Sequence, residues 1–301
     1  MRKTPLVMLL LSLSLASFLP AAETDWETPD KPNNYLDKGS FRWWAPADAK
    51  KLRGVLVIIP GRNGDARDSV NDADWQTLAG NVQFAIVGCR LFKDPAGDYQ
   101  GDPDGSTAKV INQAVNALAA ANGHEELKDP PLAFWGHSAG ANTAERYANY
   151  FPKRVISVVC IKGTWGPGGW DNAKKEIPWL LCIGKNDKPD WVKAALDNYN
   201  IGQKNRADWV LALNPKEGHE AGKTKPLALA FLEETINLRL DDSDSFAATP
   251  KIRRLPANSD WLGDPATLNT APANSFTGKR ATATWLPGES TAKAWAEYLK
   301  E

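Results

Sequence analysis

Six largely apolar runs divide the chain: Val55 to Ile59, Val82 to Cys89, Leu132 to Trp135, Val155 to Ile161, Trp179 to Ile183 and Trp209 to Leu213. Each is short, several are rich in β-branched residues, and apolar positions mostly follow one another instead of alternating with polar ones. That pattern belongs to strands covered on both faces. Between the second and third runs, Val110, Ile111, Ala114, Val115 and Leu118 recur at helical spacing, with Ser106 placed to cap the start and Gly123 just past the end. After the third run, Ala141, Ala144, Ala148 and Phe151 share one helical face, and Leu227, Leu229, Ala230 and Phe231 open a further helix. Strand and helix in alternation predict an α/β fold: a mostly parallel, doubly wound sheet with helices on both faces.

The two ends read differently. Arg2 and Lys3 precede an apolar segment from Leu6 to Leu19, then Pro20-Ala21-Ala22 and the polar Glu23-Thr24-Asp25. This is the layout of a signal peptide over residues 1–22, too short to span a bilayer comfortably, so the expected location is secreted or periplasmic with no stable membrane anchor after cleavage. From Asp241 to about Gly288 the composition turns to Pro, Ala, Asn, Ser, Thr and Asp. Ser290 or Thr291 then stands ready to cap a final helix whose Ala292, Trp295, Ala296 and Leu299 share a face that must pack on something. The expected organisation is one domain over 23–240 with a loop-rich C-terminal extension, 241–301, packed on it. Whether Trp261-Leu262-Gly263-Asp264 covers the sheet or lies near a pocket stays open.

Composition narrows the partners. The chain has 301 residues, with 36 Lys and Arg against 36 Asp and Glu. Nothing in that balance points to nucleic acid or an anionic membrane surface, and the expected ligand is uncharged or weakly charged. Cys89, Cys160 and Cys182 each sit inside an apolar run, which predicts buried free thiols, and their spacing fits no zinc site. Asp102 and Asp104 lack the remaining ligands of a calcium loop and read as a turn into a helix; Asp241, Asp242 and Asp244 read as a solvated helix exit. No cofactor and no metal is expected.

The candidate chemistry lies at Gly136-His137-Ser138-Ala139-Gly140, between the run ending at Trp135 and a helical stretch. Small residues two positions either side of a serine let the chain turn so sharply that the hydroxyl stands clear of the sheet edge. Such a serine needs a base to take its proton and an acid to orient the base. The chain offers three histidines. His124 reads as a solvated loop residue, and His137, adjacent to the serine in a tight turn, as packing or pocket lining. His219 follows the last core strand in a glycine-bearing loop and is the candidate base. Asp187, where a buried strand breaks at Gly184, is the candidate acid, with Asp190 the runner-up. The order serine, aspartate, histidine is the one this architecture uses.

On Gly136-His137-Ser138-Ala139-Gly140, Gly184-Lys185-Asn186-Asp187 and Gly218-His219 the chain resembles the α/β-hydrolase superfamily, over about Leu52 to Leu238. Within it, the chain looks like the exported dienelactone-hydrolase-like and feruloyl-esterase-like group, although dienelactone hydrolases proper carry cysteine where Ser138 stands. The resemblance implies Ser138 as nucleophile, Asp187 as acid and His219 as base. It also implies an oxyanion hole formed by the N–H of Ala139 and that of Arg62, in Pro60-Gly61-Arg62-Asn63-Gly64, although many relatives carry His-Gly in this loop. About fifty residues between Ser138 and Asp187 leave no room for a large cap, so the site should be open. Trp165 and Trp170, in a glycine-rich loop beside the serine, and His137 are the expected substrate contacts.

The function so implied is an exported serine hydrolase of carboxylic esters, acting through an acyl-enzyme on Ser138. Its substrate would be a small molecule or polysaccharide carrying acyl or aryl esters. Peptide, lactone or thioester hydrolysis on the same scaffold remains open, as does a non-catalytic carbohydrate-binding protein that kept the fold.

Overall fold

The chain enters its sheet through an antiparallel ribbon, β1 (Thr24–Glu27) and β2 (Lys38–Trp44), and then alternates strands with helices. In this computed structural model the described residues are 23–94, 102, 104–163, 175–240, 251–256 and 260–300. The expected signal peptide, the Asp241 to Asp244 cluster, Trp165 and Trp170 lie outside them. After the ribbon come β3 (Gly54–Ile59), α1 (Ala73–Val82), β4 (Phe84–Phe92), α2 (Ser106–Ala121), β5 (Leu132–His137) and α3 (Ala139–Tyr150). They are followed by β6 (Val155–Ile161), β7 (Trp179–Gly184), α4 (Pro189–Lys204), β8 (Trp209–Asn214) and α5 (Lys225–Arg239). The sheet order is β1-β2-β4-β3-β5-β6-β7-β8, parallel from β4 to β8 and antiparallel at β1 and β2.

Each of the six apolar runs contains a strand of this sheet, and the core lies on both of its faces. Val55, Val57, Ile59, Phe134, Val158 and Leu181 pack with α2, α3 and Tyr199 of α4 on one side. Leu56, Ile58, Ile86, Val159 and Leu180 pack with α1 and α5 on the other. Cys89, Cys160 and Cys182 are buried and unbridged, and burial pushes the Cys182 thiol up to about 12. Among the described residues no helix is long and apolar enough to cross a membrane.

Three local expectations are corrected. Val82 closes α1 instead of opening a strand: Gln83 takes a left-handed conformation (φ 57°) that ends the helix, and β4 begins at Phe84. Ser106 does not cap α2 but is its first residue, and its N–H is accepted by Asp102 Oδ1 at 3.0 Å and Asp104 Oδ1 at 2.9 Å. The two aspartates thus serve the helix's unpaired N–H groups. Ser290 and Thr291 do not cap the final helix, α6 (Glu289–Lys300); Glu234 of α5 accepts from both backbone N–H groups, at 2.8 and 3.2 Å.

The extension packs on the sheet. It forms a small antiparallel sheet, β9 (Trp261–Gly263), β10 (Thr270–Pro272) and β11 (Thr284–Leu286), followed by α6. Leu211 of β8, the last strand of the large sheet, donates its N–H to Thr284 Oγ1 at 2.8 Å, and its carbonyl accepts from Trp295 Nε1 at 2.8 Å. Trp285, Leu286, Ala292, Trp295 and Tyr298 join the core on the α5 side, with Ala296 and Leu299 at its margin.

One carboxylate at this junction is disfavoured. Asp208, just before β8, is pushed up to about 6, chiefly by burial and then by Asp260 of the extension, with Arg239 opposing. A carboxyl whose pKa is raised on folding adds stability below its unfolded value of about 4 and loses that contribution as pH rises through the folded value. Asp208→Asn, which cannot ionise, should therefore raise stability at pH 8 by about 1–2 kcal/mol and change it little at pH 4. Urea unfolding at the two pH values checks this; an equal effect at both would exclude the ionisation as its cause.

Candidate active site

A parallel sheet delivers the carboxyl ends of its strands to one rim. There β5 ends, and the chain turns at Ser138 directly into α3. Ser138 has φ 54° and ψ −118°, a conformation costly for a residue with a Cβ and held only by its surroundings. The flanking glycines make it attainable. A Cβ on Gly136 would lie 2.5 Å from the Gly140 carbonyl oxygen, and one on Gly140 would lie 2.2 Å from that of Ile59. The Ser138 N–H donates to the Ile161 carbonyl at 2.8 Å, which fastens the turn to β6.

Two loops of the same rim bring the partners. Beyond β7 the chain folds back so that the Asp187 N–H meets the Gly184 carbonyl at 3.2 Å, and the Asp187 side chain is 6% exposed. Asp187 Oδ1 accepts from the Lys188 N–H at 2.7 Å, leaving Oδ2 for His219 Nδ1 at 2.6 Å. His219, in the loop after β8, places its other nitrogen, Nε2, 2.8 Å from Ser138 Oγ. With Nδ1 donating to the carboxylate, Nε2 is the acceptor for the serine proton. The structure thus brings together Ser138, His219 and Asp187, from loops 81 and 32 residues apart. Asp190 is exposed in the first turn of α4, where a carboxylate complements the helix dipole.

His137 has a specific bond: Nε2 lies 2.8 Å from the His219 carbonyl oxygen, to which it donates. Burial is the main cause that depresses its pKa, against the bond to the His219 carbonyl, which raises it. His124 differs from its expected role as a solvated residue. Half-buried, it pairs through Nδ1 with Glu126 at 3.0 Å and faces Trp43, because Glu126 is drawn inward by the Leu52 N–H.

The remaining expected groups flank the serine. Ala139 is the first residue of α3, so its N–H is among the helix-end donors that the helical ladder does not use. The Pro60 to Gly64 loop lies against the site: a Cβ on Gly61 would be 3.6 Å from Ser138 Cβ. This loop, which contains Arg62, is braced by Asn63, whose side chain bonds the backbone of Lys93 at 3.0 and 3.1 Å. One aromatic was not anticipated. Trp191 sets its ring 4.8 Å from that of His219, and Lys188 Nζ lies 4.1 Å above the Trp191 ring. The available signal was Pro189, which suits the first turn of a helix and so places Trp191 in it.

No family model matches the chain, and no curated protein matches it by sequence. Solved structures share its fold. A ferulic acid esterase superposes with a TM-score of 0.53 at 10% identity, covering 72% of this chain and 99% of its own. A fluorophosphonate-binding serine hydrolase of Staphylococcus aureus gives 0.52 at 12% identity, with 72% and 99% covered. Poly(aspartic acid) hydrolase-1 of Sphingomonas sp. KT-1 gives 0.51 at 18% identity, with 70% and 98% covered. With the sheet order and its helices, these likenesses show an α/β-hydrolase fold.

The turn at Ser138 leaves no room for a side chain at its glycines. Gly140→Ala should cost about 3 kcal/mol or more, because the new methyl meets backbone that cannot swing aside. Thermal unfolding of the variant checks this; an unchanged midpoint would mean that the turn is not as tight as described.

Proposed function

We propose that the chain is an exported serine hydrolase that cleaves carboxylic esters through an acyl-enzyme on Ser138. The observation that carries this reading is the unbroken chain of contacts from Asp187 through His219 to Ser138, at 2.6 and 2.8 Å. As Ser138 Oγ attacks the ester carbonyl carbon, His219 Nε2 takes the serine proton, and Asp187 stabilises the imidazolium that forms. The oxyanion is held by the N–H of Ala139, strengthened by the α3 dipole, and by that of Arg62. Collapse of this intermediate breaks the bond to the alcohol oxygen, which leaves with the proton from His219. Water then repeats the sequence on the acyl-enzyme and releases the carboxylic acid and Ser138.

Acyl or aryl esters, including those of carbohydrates, are the proposed substrates. Trp191 supports this choice by offering an aromatic wall next to the imidazole, suited to a flat or sugar-like group. Trp165 and Trp170 are proposed as further substrate contacts, and His137 is proposed to line the pocket while holding the His219 backbone. The residues 1–22 are proposed as the export signal, 23–240 as the catalytic domain and 241–301 as an extension that travels with it.

Two measurements test the reading. A fluorophosphonate probe should label the wild type and not Ser138→Ala; folded wild type that stays unlabelled would exclude a reactive serine and favour a binding protein. Asp187→Asn should lower kcat by about 10³- to 10⁴-fold by leaving the imidazole in the wrong tautomer, while Asp190→Asn changes it little. The reverse result would reassign the acid.

A further inference from the structure

Behind the His219 loop, three distant segments meet in one buried ionic cluster. Lys162, just past β6, has a fully buried side chain, and its ammonium donates to Glu217 Oε2 at 2.6 Å and to the Tyr298 hydroxyl oxygen at 2.9 Å. The Tyr298 hydroxyl donates to the same Oε2 at 2.5 Å, and Glu217 Oε1 accepts from the Lys223 N–H at 2.9 Å. Burial works against a charge on Glu217, yet the bonds from Lys162 and Tyr298 outweigh it and hold the carboxyl below its usual range. Burial, with Cys182 and Glu217 adding to it, pushes the Tyr298 hydroxyl well above its own range, so it remains a donor.

A buried ion pair is seldom the cheapest way to fill space, since apolar residues of similar volume often stabilise as well or better. Its position suggests another role. Glu217 stands two residues before His219, and its carbonyl accepts the Asn186 N–H at 3.0 Å, next to Asp187. Asn214, at the start of the same loop, accepts the N–H groups of Lys216 and Glu217 at 2.9 and 3.2 Å and donates to the Tyr298 carbonyl at 2.7 Å. The last turn of α6 therefore holds this loop by a side chain and by its backbone, while Asn186 Nδ2 binds the Lys216 carbonyl at 3.0 Å from the Asp187 side.

We infer that the C-terminal helix is a positioning element of the active site: Tyr298, acting through Glu217 and Lys162, fixes the loop from Asn214 to Lys223 so that His219 spans Ser138 and Asp187. This rests on the hydrolase reading above for its catalytic consequence, though not for its geometric one. Tyr298 touches none of the three residues; it acts on them through the loop. Displacements of about 1 Å at a general base cost up to about 10²-fold in rate, and loss of one of the three bonds to Glu217 is expected to cost about tenfold.

The test compares Tyr298→Phe with wild type in the full chain. The variant should fold, hydrolyse p-nitrophenyl acetate with kcat about tenfold lower and KM within about twofold, and broaden or lose the low-field Nδ1 proton resonance of His219, assigned by its disappearance in Asp187→Asn. If Tyr298→Phe fails to fold, Glu217→Gln, which keeps the side-chain shape and removes the carboxylate, carries the same comparison. A folded variant with unchanged kcat and an unchanged resonance overturns the inference, as does a rate loss matched by a loss of folded protein alone. Wild type that shows the resonance yet neither cleaves ester nor takes the fluorophosphonate refutes the hydrolase reading instead, and the resonance of the variant still decides whether Tyr298 positions the loop.

Discussion

The contact on which the site depends is the 2.8 Å approach of His219 Nε2 to Ser138 Oγ. Neither residue reaches it unaided. Ser138 is held in a strained turn by the packing of Gly140 against the β3 backbone, and His219 is held at its carbonyl by His137, at Nδ1 by Asp187 and through its loop by Glu217. Parallel strands make such convergence possible because every connection that leaves a carboxyl end starts from the same rim. The sheet fixes where the loops begin, and polar bonds among the loops fix where they end.

The parts of this arrangement that were legible in the sequence are those with local causes. The six strands announce themselves because burial on both faces leaves no room for polar alternation. The turn at Ser138 is visible because only small residues at positions 136 and 140 permit it. The order of serine, aspartate and histidine marked Asp187 and His219, since each closes a loop directly after a buried strand.

What was not legible depends on partners distant in sequence. β1 reads Thr-Asp-Trp-Glu and β2 mixes Lys38, Ser40 and Arg42 with Phe41, Trp43 and Trp44, so neither shows a continuous apolar run; β2 is placed by pairing with β4, and β1 by pairing with β2. α1 hides behind Val82, which suits a strand as well as a helix end. The start of α6 offers two good capping residues, yet Glu234, more than fifty residues away, accepts their N–H groups. Tyr298 and Lys162 likewise reveal themselves only where they meet Glu217, because nothing within either segment distinguishes a structural tyrosine or lysine from one that holds a loop.

The extension has a further effect through β8. An outermost strand ordinarily leaves its backbone free to recruit another chain as an added strand. At Leu211 both backbone groups are taken by side chains of the extension, Thr284 and Trp295. The flank is thereby closed to templated growth at that point, and a concentrated solution of this protein has one route fewer toward fibrils.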